Sequence, residues 1–182
     1  RLTQALCEEF DKVVGIDISS TMIETAERFN CHGERCRYIV NTGDRMPMLE
    51  DASIDFVYSN ITLQHVPPEA STQYIAEFVR VLKPGGVALF QLPDGPYHRQ
   101  GSLGERWYAF RRGPLRRFWK RIRGQPLIEM HYVNRGRVCE IVESAGGAVV
   151  DIRDDETARK KRKSLFYSVV AGSLHHGVKS TD

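Results

Sequence analysis

The sequence predicts an α/β fold with a doubly wound, mostly parallel sheet. Short apolar runs, which are typical of buried strands, alternate along the chain with segments whose apolar residues recur every three to four positions. Glycine, proline and asparagine separate these segments and mark their ends. A chain of 182 residues is long enough to form one domain with a sizeable core, and we expect a single domain over residues 1–182.

The first half of the chain predicts two strands, each preceded by a helix. We expect a helix over 1–10, a strand over 12–18, a helix from about residue 21 and a strand over 38–40. Ser19 or Ser20 can cap the second helix, and Glu24 is a candidate capping-box partner. The buried stripe of that helix is expected to contain Met22, Ile23 and Ala26. A polar loop over residues 41–44 follows.

The second half continues the alternation. The predicted elements are a strand over 56–59, a helix over 69–82, a turn over 83–86, a strand over 87–92, a helix capped by Asn134, and strands over 148–152 and 165–171. Gly146 and Gly147 end the last helix. Residues 94–130 interrupt the pattern and are interpreted as an insertion.

Composition excludes several classes of protein. With 41% hydrophobic and 27% charged residues, the chain is not intrinsically disordered, and its longest apolar runs are too short to span a membrane. Its four cysteines lack the spacing of a disulfide framework, which favours reduced thiols and a cytoplasmic location. Cys31, His32 and Cys36 lack a second ligand pair, so no metal site is predicted.

Asp17 is the first candidate site residue. It follows the apolar run Val13–Ile16, and a carboxylate at the end of a buried strand can accept both hydroxyls of a ribose. The residue alone fits the ribose of a nucleotide cofactor, for example a nicotinamide dinucleotide, or a plain acid at a helix N-terminus. The neighbouring segments are needed to choose among these.

Three segments together resemble class I S-adenosylmethionine-dependent methyltransferases. They are Val13–Ser19 with Met22 and Ile23 behind it, Asp51–Ser59 continued by Leu63–Pro67, and Arg80–Gly86. The resemblance covers nearly all of residues 1–93. It implies a Rossmann-like sheet with strand order 3-2-1-4-5-7-6 and an antiparallel last strand. It also implies S-adenosyl-L-methionine as the cofactor and a small-molecule methyl acceptor, methylated on oxygen, nitrogen or carbon.

The resemblance assigns the cofactor contacts. Asp17 would hold the ribose, Ile18 and Met22 would pack on the ribose and adenine, and a loop would lie beside the adenine. The loop residues are Thr42, Gly43 and Asp44. The residues that would border the methionine end are Ser59, Asn60 and Ile61.

The segment that this family places before residue 1 is a strand followed by a glycine-rich turn. Arg1-Leu2-Thr3 resembles the start of the helix after those glycines. We therefore expect the sheet to be N-terminally truncated and the chain to be a fragment that binds the cofactor poorly. An inactive Rossmann-like fragment is accordingly one alternative reading of the function.

His65 is the candidate general base, because it follows the strand after which catalytic groups of the family often lie. Gln64 and Trp107 are expected on the substrate side with it. A histidine here can equally pack or donate a hydrogen bond at a helix start, and that reading stays open.

The charge is strongly asymmetric along the chain. Residues 1–97 carry a net charge of −6 and residues 98–182 a net charge of +9. Within the second part, residues 105–124 interleave eight Lys/Arg residues with five aromatic ones, which is typical of a basic amphipathic segment. It could cover an anionic substrate, touch an anionic membrane or contact nucleic acid, or be a structural lid with solvated arginines. A methyltransferase of RNA or membrane-associated substrates is therefore another alternative. Lys160–Lys163 is predicted to be a solvated loop.

Overall fold

A computed structural model of the chain describes residues 1–95, 130–155 and 164–172. They belong to two compact units, Arg1–Met46 and the residues from Pro47 onward. Every helix within these ranges falls short of the length and apolar character needed to cross a membrane. Most of the predicted insertion, including 105–124, lies outside the described residues, as does 160–163.

The first unit contains a two-stranded parallel sheet. Its elements are α1 (Leu2–Leu6), β1 (Val13–Asp17), α2 (Ser20–Arg28), a 3₁₀ helix (Gly33–Arg35) and β2 (Cys36–Val40). Asp17 pairs with Val40, so β1 and β2 end side by side. The loop after β2 therefore begins directly beside Asp17.

The helix α1 is shorter than the one predicted over residues 1–10. After Leu6 the backbone continues in tighter turns, in which Glu8 N–H donates to Ala5 C=O and Glu9 N–H to Leu6 C=O. The Arg35 guanidinium donates to three carbonyls of this stretch, those of Cys7, Phe10 and Asp11. A long-range partner thus satisfies carbonyls at the end of the helix.

Gly15 in β1 is required by a close approach of two neighbours. A Cβ atom there would lie 2.9 Å from Cδ1 of Tyr38 and 3.0 Å from Oγ1 of Thr3. Both distances are shorter than ordinary van der Waals contact. The glycine inside this strand therefore allows α1 and β2 to pack against β1.

The second unit is a four-stranded mixed sheet with two helices. Its elements are β3 (Ile54–Ser59), a 3₁₀ helix (Leu63–His65), α3 (Pro68–Val81), β4 (Leu82–Pro93), α4 (Arg135–Ser144), β5 (Gly147–Asp154) and β6 (Ser164–Ala171). The strand order is β3-β4-β6-β5, with β3 parallel to β4 and β6 antiparallel to both its neighbours. Within each unit the strand neighbours are those that the resemblance implies, including the antiparallel last strand.

The core of the second unit lies between the sheet and its two helices. Phe90 of β4 stacks on Tyr167 of β6 with ring centroids 5.2 Å apart, and Phe78 of α3 packs on Phe90 in a tilted arrangement at 5.9 Å. Other buried side chains come from both helices, among them Ile75, Val79, Val138 and Val142. This apolar burial anchors β4, which pairs with β3, the strand whose carboxyl end carries candidate site residues.

Two of the sequence segments that carry the resemblance bind each other. The Arg80 guanidinium donates to both carboxylate oxygens of Glu77, at 2.9 and 2.7 Å, and to Asp51 at 2.5 Å. The Lys83 ammonium pairs with Asp55 at 2.8 Å. Segments 51–55 and 80–86 therefore hold the start of β3 against the end of α3 and have a structural role.

The predicted turn over residues 83–86 is a bulge inside a longer strand. Ile54 pairs with Leu82 and Phe56 with Val87, so β4 has extra residues opposite Asp55. Gly85 adopts φ +79°, and a Cβ atom on Gly86 would lie 2.9 Å from the Lys83 carbonyl oxygen. The strand therefore starts at Leu82, five residues earlier than predicted, and the glycines permit its bulge.

Candidate functional site

Asp17 is exposed at the carboxyl end of β1, as predicted. Its Oδ1 accepts a hydrogen bond from the Ser19 N–H at 2.9 Å, and Ser19 Oγ accepts one from the Met22 N–H at 3.3 Å. Ser19 is thus the predicted N-cap of α2. A capping-box partner has to be the third residue of the helix, the one whose N–H the cap binds. With Ser19 as the cap, that residue is Met22, so the capping box with Glu24 does not form. A carboxylate held in this way can still accept hydrogen bonds from a ligand's hydroxyls.

Two large apolar side chains lie exposed beside this carboxylate in the sequence. Ile18 is 71% exposed and Met22 is 58% exposed. The prediction that Met22 belongs to the buried stripe of α2 is wrong, since Ile23 is the buried residue of that helix. Exposed Ile18 and Met22 offer apolar surface to a flat base or a sugar.

The loop after β2 is shaped by Asn41, which is buried. Its N–H donates to the Asp17 carbonyl at 2.9 Å, and its side-chain Nδ2 donates to the Arg45 carbonyl at 2.9 Å. These contacts leave Thr42, Gly43 and Asp44 exposed. Asn41 therefore ties the loop to the end of β1 and turns its polar tip toward solvent.

In the second unit, Ser59, Asn60 and Ile61 form the corner that follows β3. Ile61 adopts φ +61° and is 57% exposed. Its N–H donates to Oε1 of the buried Gln91 at 3.1 Å. Thr62 Oγ1 donates to the Asn60 carbonyl at 3.2 Å, which closes the corner.

Gln64 and His65 lie in the 3₁₀ helix after this corner. Gln64 is buried, its carbonyl accepts from the His131 N–H at 2.8 Å, and its Nε2 lies 3.1 Å from Nε2 of His65. His65 itself is exposed. Because a Gln amide nitrogen only donates, the contact favours an His65 tautomer with an unprotonated Nε2.

Ser71 fixes the same 3₁₀ helix from α3. Its buried hydroxyl donates to the carbonyls of Leu63 and Val66, at 3.0 and 3.1 Å. The structure thus brings Gln64 and His65 together on a braced segment. Trp107, the third predicted substrate-side residue, lies outside the described residues.

Buried thiols and a phenol of α1 and β2 form a small cluster that has a structural role. Cys36 Sγ donates to Tyr38 OH at 3.3 Å, and Cys7 Sγ donates to the Thr3 carbonyl at 3.5 Å. Burial raises the pKa of the Cys7 thiol, and it raises the pKa of Tyr38 to about 12. A thiol with a raised pKa is a poor nucleophile and a poor metal ligand at neutral pH.

Sequence reasoning missed the side chains that shape these loops. Asn41 was detectable from the Asn-x-Gly pattern directly after a strand, which is typical of an Asx turn. Gln91 and Ser71 had no local signal, since their partners lie 30 and 8 residues away. Only the fold brings those partners together.

Three comparisons place the chain among known proteins. Residues 1–90 match the family described as "Methyltransferase domain". The chain is 39% identical over 83 residues to an uncharacterised 37.1 kDa protein in transposon TN4556 of Streptomyces fradiae, covering 46% of this chain and 23% of that protein. It is 31% identical over 91 residues to a trans-aconitate 2-methyltransferase of Azoarcus sp. strain BH72, covering 48% of this chain and 33% of that enzyme. The chain thus spans a third or less of the length of these curated relatives.

The fold is also that of solved methyltransferases. One is the 1,6-didemethyltoxoflavin-N1-methyltransferase of Burkholderia thailandensis, with bound 1,6-didemethyltoxoflavin and S-adenosylhomocysteine. The similarity has a TM-score of 0.60 at 16% identity and covers 95% of this chain and 67% of that one. At such low identity, the match shows a shared fold.

Proposed function

We propose that the protein transfers the methyl group of S-adenosylmethionine to a small molecule, on the premise that residues 1–90 match the methyltransferase domain family and that the chain shares the fold of solved methyltransferases. The observation that carries the proposal is the carboxyl end of β1. There an exposed Asp17 is followed by exposed Ile18 and Met22 and flanked by the loop that Asn41 shapes.

This donor set fits the nucleoside part of the cofactor. The Asp17 carboxylate would accept the two ribose hydroxyls in charge-assisted hydrogen bonds. Ile18 and Met22 would lie against the ribose and adenine. The loop residues Thr42, Gly43 and Asp44 would border the edge of the base, with Asp44 as the nearest acid to accept from its amino group.

At the carboxyl end of β3, Ser59, Asn60 and Ile61 would border the methionine part of the cofactor. Bound S-adenosylmethionine supplies an already activated sulfonium methyl, which transfers by in-line displacement. The chain therefore has to bind, orient and exclude water, with at most one base.

His65 is the proposed base for an acceptor hydroxyl or amine. Its exposure lets an acceptor reach it, and the Gln64 amide favours an unprotonated Nε2. The Gln64 amide N–H also occupies the lone pair of His65 Nε2. Gln64 therefore has to move away before Nε2 can take a proton from the methyl acceptor. Replacing His65 with Ala should lower kcat and leave cofactor affinity almost unchanged.

Titration calorimetry with S-adenosylhomocysteine tests the proposal. Asp17→Asn keeps the side-chain size and an acceptor for Ser19 but removes the charge, and we expect affinity to fall about tenfold or more. The control is Asp11→Asn, which neutralises an exposed acid at the opposite end of β1. Equal affinity in both variants, or binding of a nicotinamide dinucleotide at Asp17 instead, would contradict the proposal.

The acceptor class remains part of the proposal. The basic and aromatic residues of 105–124 favour RNA or a membrane-associated molecule as a second candidate. Methylation of RNA or of a lipid in anionic vesicles, in preference to water-soluble small molecules, would select it.

All four cysteines are free thiols, which supports a cytoplasmic location.

A further inference from the structure

The corner after β3 is held in a conformation that its own sequence disfavours. Ile61 adopts φ +61°, in the left-handed region, although it is β-branched. In the described ranges, the other non-glycine residue with positive φ is Ala52. Ile61 is 57% exposed, so burial of its own side chain does not hold it there. The conformation therefore depends on its surroundings.

One buried side chain supplies that support. Gln91 in β4 is 2% exposed, and its Oε1 accepts from the Ile61 N–H at 3.1 Å. Its Nε2 donates to the hydroxyl of Ser164, which is 4% exposed at the start of β6. Because a backbone N–H can only donate, the amide oxygen has to face Ile61 and the amide nitrogen has to face Ser164.

The direction of the Gln91 amide is consequently fixed by two strands and one loop. Ser164 itself is anchored in two ways. Its carbonyl accepts a hydrogen bond from the Asp155 N–H at 2.9 Å, and it lies opposite Pro93 of β4 in the sheet. Strain in the left-handed region persists where the surrounding structure over-determines it, and such places are often functional.

We propose that Gln91 is a positioning residue that holds Ile61 in its left-handed conformation and so presents the Ser59–Ile61 corner to the methyl donor. Gln91 reaches the ligand only through the Ile61 peptide. The exposed Ile61 side chain then provides an apolar contact whose place is fixed before the ligand arrives. The ligand part of this inference depends on the proposed function, whereas the support of Ile61 does not.

Hydrogen exchange of the Ile61 amide tests the support directly. Gln91→Met keeps the length of the side chain and removes the acceptor, and we expect the Ile61 amide to exchange about tenfold faster. Val142→Ala is the control, because it removes buried methyl groups from α4 without touching the corner. Equal protection of the Ile61 amide in the two variants would overturn the inference. Ser164→Ala, a milder change, should act in the same direction if Gln91→Met fails to fold.

A double-mutant comparison separates positioning from simple packing. Glycine adopts the left-handed region without strain, so Gln91→Met should weaken S-adenosylhomocysteine binding severalfold in the natural background but less than about twofold in the Ile61→Gly background. An equal loss in both backgrounds would mean that Gln91 acts through packing alone, which overturns the proposal. If the natural protein does not bind S-adenosylhomocysteine but the exchange result holds, the proposed function fails and the support of Ile61 by Gln91 stands.

Discussion

The Tyr167 ring is fully buried in the second unit and stacks on Phe90 with centroids 5.2 Å apart. Within the described ranges its hydroxyl has no hydrogen-bond partner, and burial raises the pKa of its phenol. Tyr38 in the first unit differs, because its hydroxyl accepts from Cys36 Sγ at 3.3 Å. The two tyrosines therefore predict opposite effects of the same substitution.

Replacing Tyr167 with Phe should stabilise the protein. The change keeps the stacked ring and removes a buried hydroxyl that makes no hydrogen bond, so the free energy of unfolding should rise by about 1 kcal/mol. Urea denaturation measures it. Tyr38→Phe is the matched control and should lower that free energy. A loss of stability in Tyr167→Phe would show that its hydroxyl is bonded.

Tyr38 also predicts how stability depends on alkaline pH. Burial, followed by the hydrogen bond with Cys36, raises its pKa from 10.0 to about 12. Between these values the folded state binds more protons than the unfolded state, so the free energy of unfolding falls as pH rises from 10 to 12. Urea denaturation across this range should show a shallower fall in Tyr38→Phe. If the free energy of unfolding falls equally steeply with pH in Tyr38→Phe, groups other than Tyr38 cause the loss of stability at alkaline pH.

At the scale of elements, local patterns predicted which segments become helices and strands but not where they end. The helix predicted over 69–82 forms at Pro68–Val81, and the predicted cap Asn134 binds the Gly136 N–H at 2.9 Å. These features depend on neighbouring residues. The early end of α1 and the bulge at 83–86 depend on Arg35 and Asp55, which are distant in sequence, so periodicity could not reveal them.

The ion pairs at the end of α3 predict unequal contributions to stability. The Glu77 side chain is 8% exposed and both its oxygens bind Arg80, so Arg80→Met would leave a buried carboxylate without its cation. With Arg80 itself 30% exposed, we expect a loss of about 2 kcal/mol in the free energy of unfolding.

Lys83→Met is the matched control for that variant. The Lys83 and Asp55 side chains are 46% and 72% exposed, and such pairs contribute less than about 1 kcal/mol. Urea denaturation of the two variants compares them. An equal loss of stability in both variants would mean that the buried Glu77 carboxylate does not account for the contribution of Arg80.

At the scale of the whole molecule, the sequence predicted an α/β fold with a mostly parallel sheet, and this is confirmed. Alternating apolar runs and amphipathic segments determine that class, and the resemblance supplied the strand order within each unit. Of the proposed site residues, those that directly end a strand, such as Asp17 and Ser59, lie where the sequence predicts them, and their roles stay predictions. The supports Asn41, Ser71 and Gln91 were missed because most of their partners become neighbours only through folding.

We propose that the carboxyl ends of β1 and β2 in the first unit, and that of β3 in the second, each contact S-adenosylmethionine. A titration of the ¹⁵N-labelled protein with S-adenosylhomocysteine, followed by amide chemical shifts, tests this claim even if binding is weak. We predict shifts at residues 17–22, 41–44 and 59–61, reduced in Asp17→Asn and retained in Asp11→Asn. Saturable shifts confined to other residues, or shifts at these residues with a nicotinamide dinucleotide alone, would contradict it.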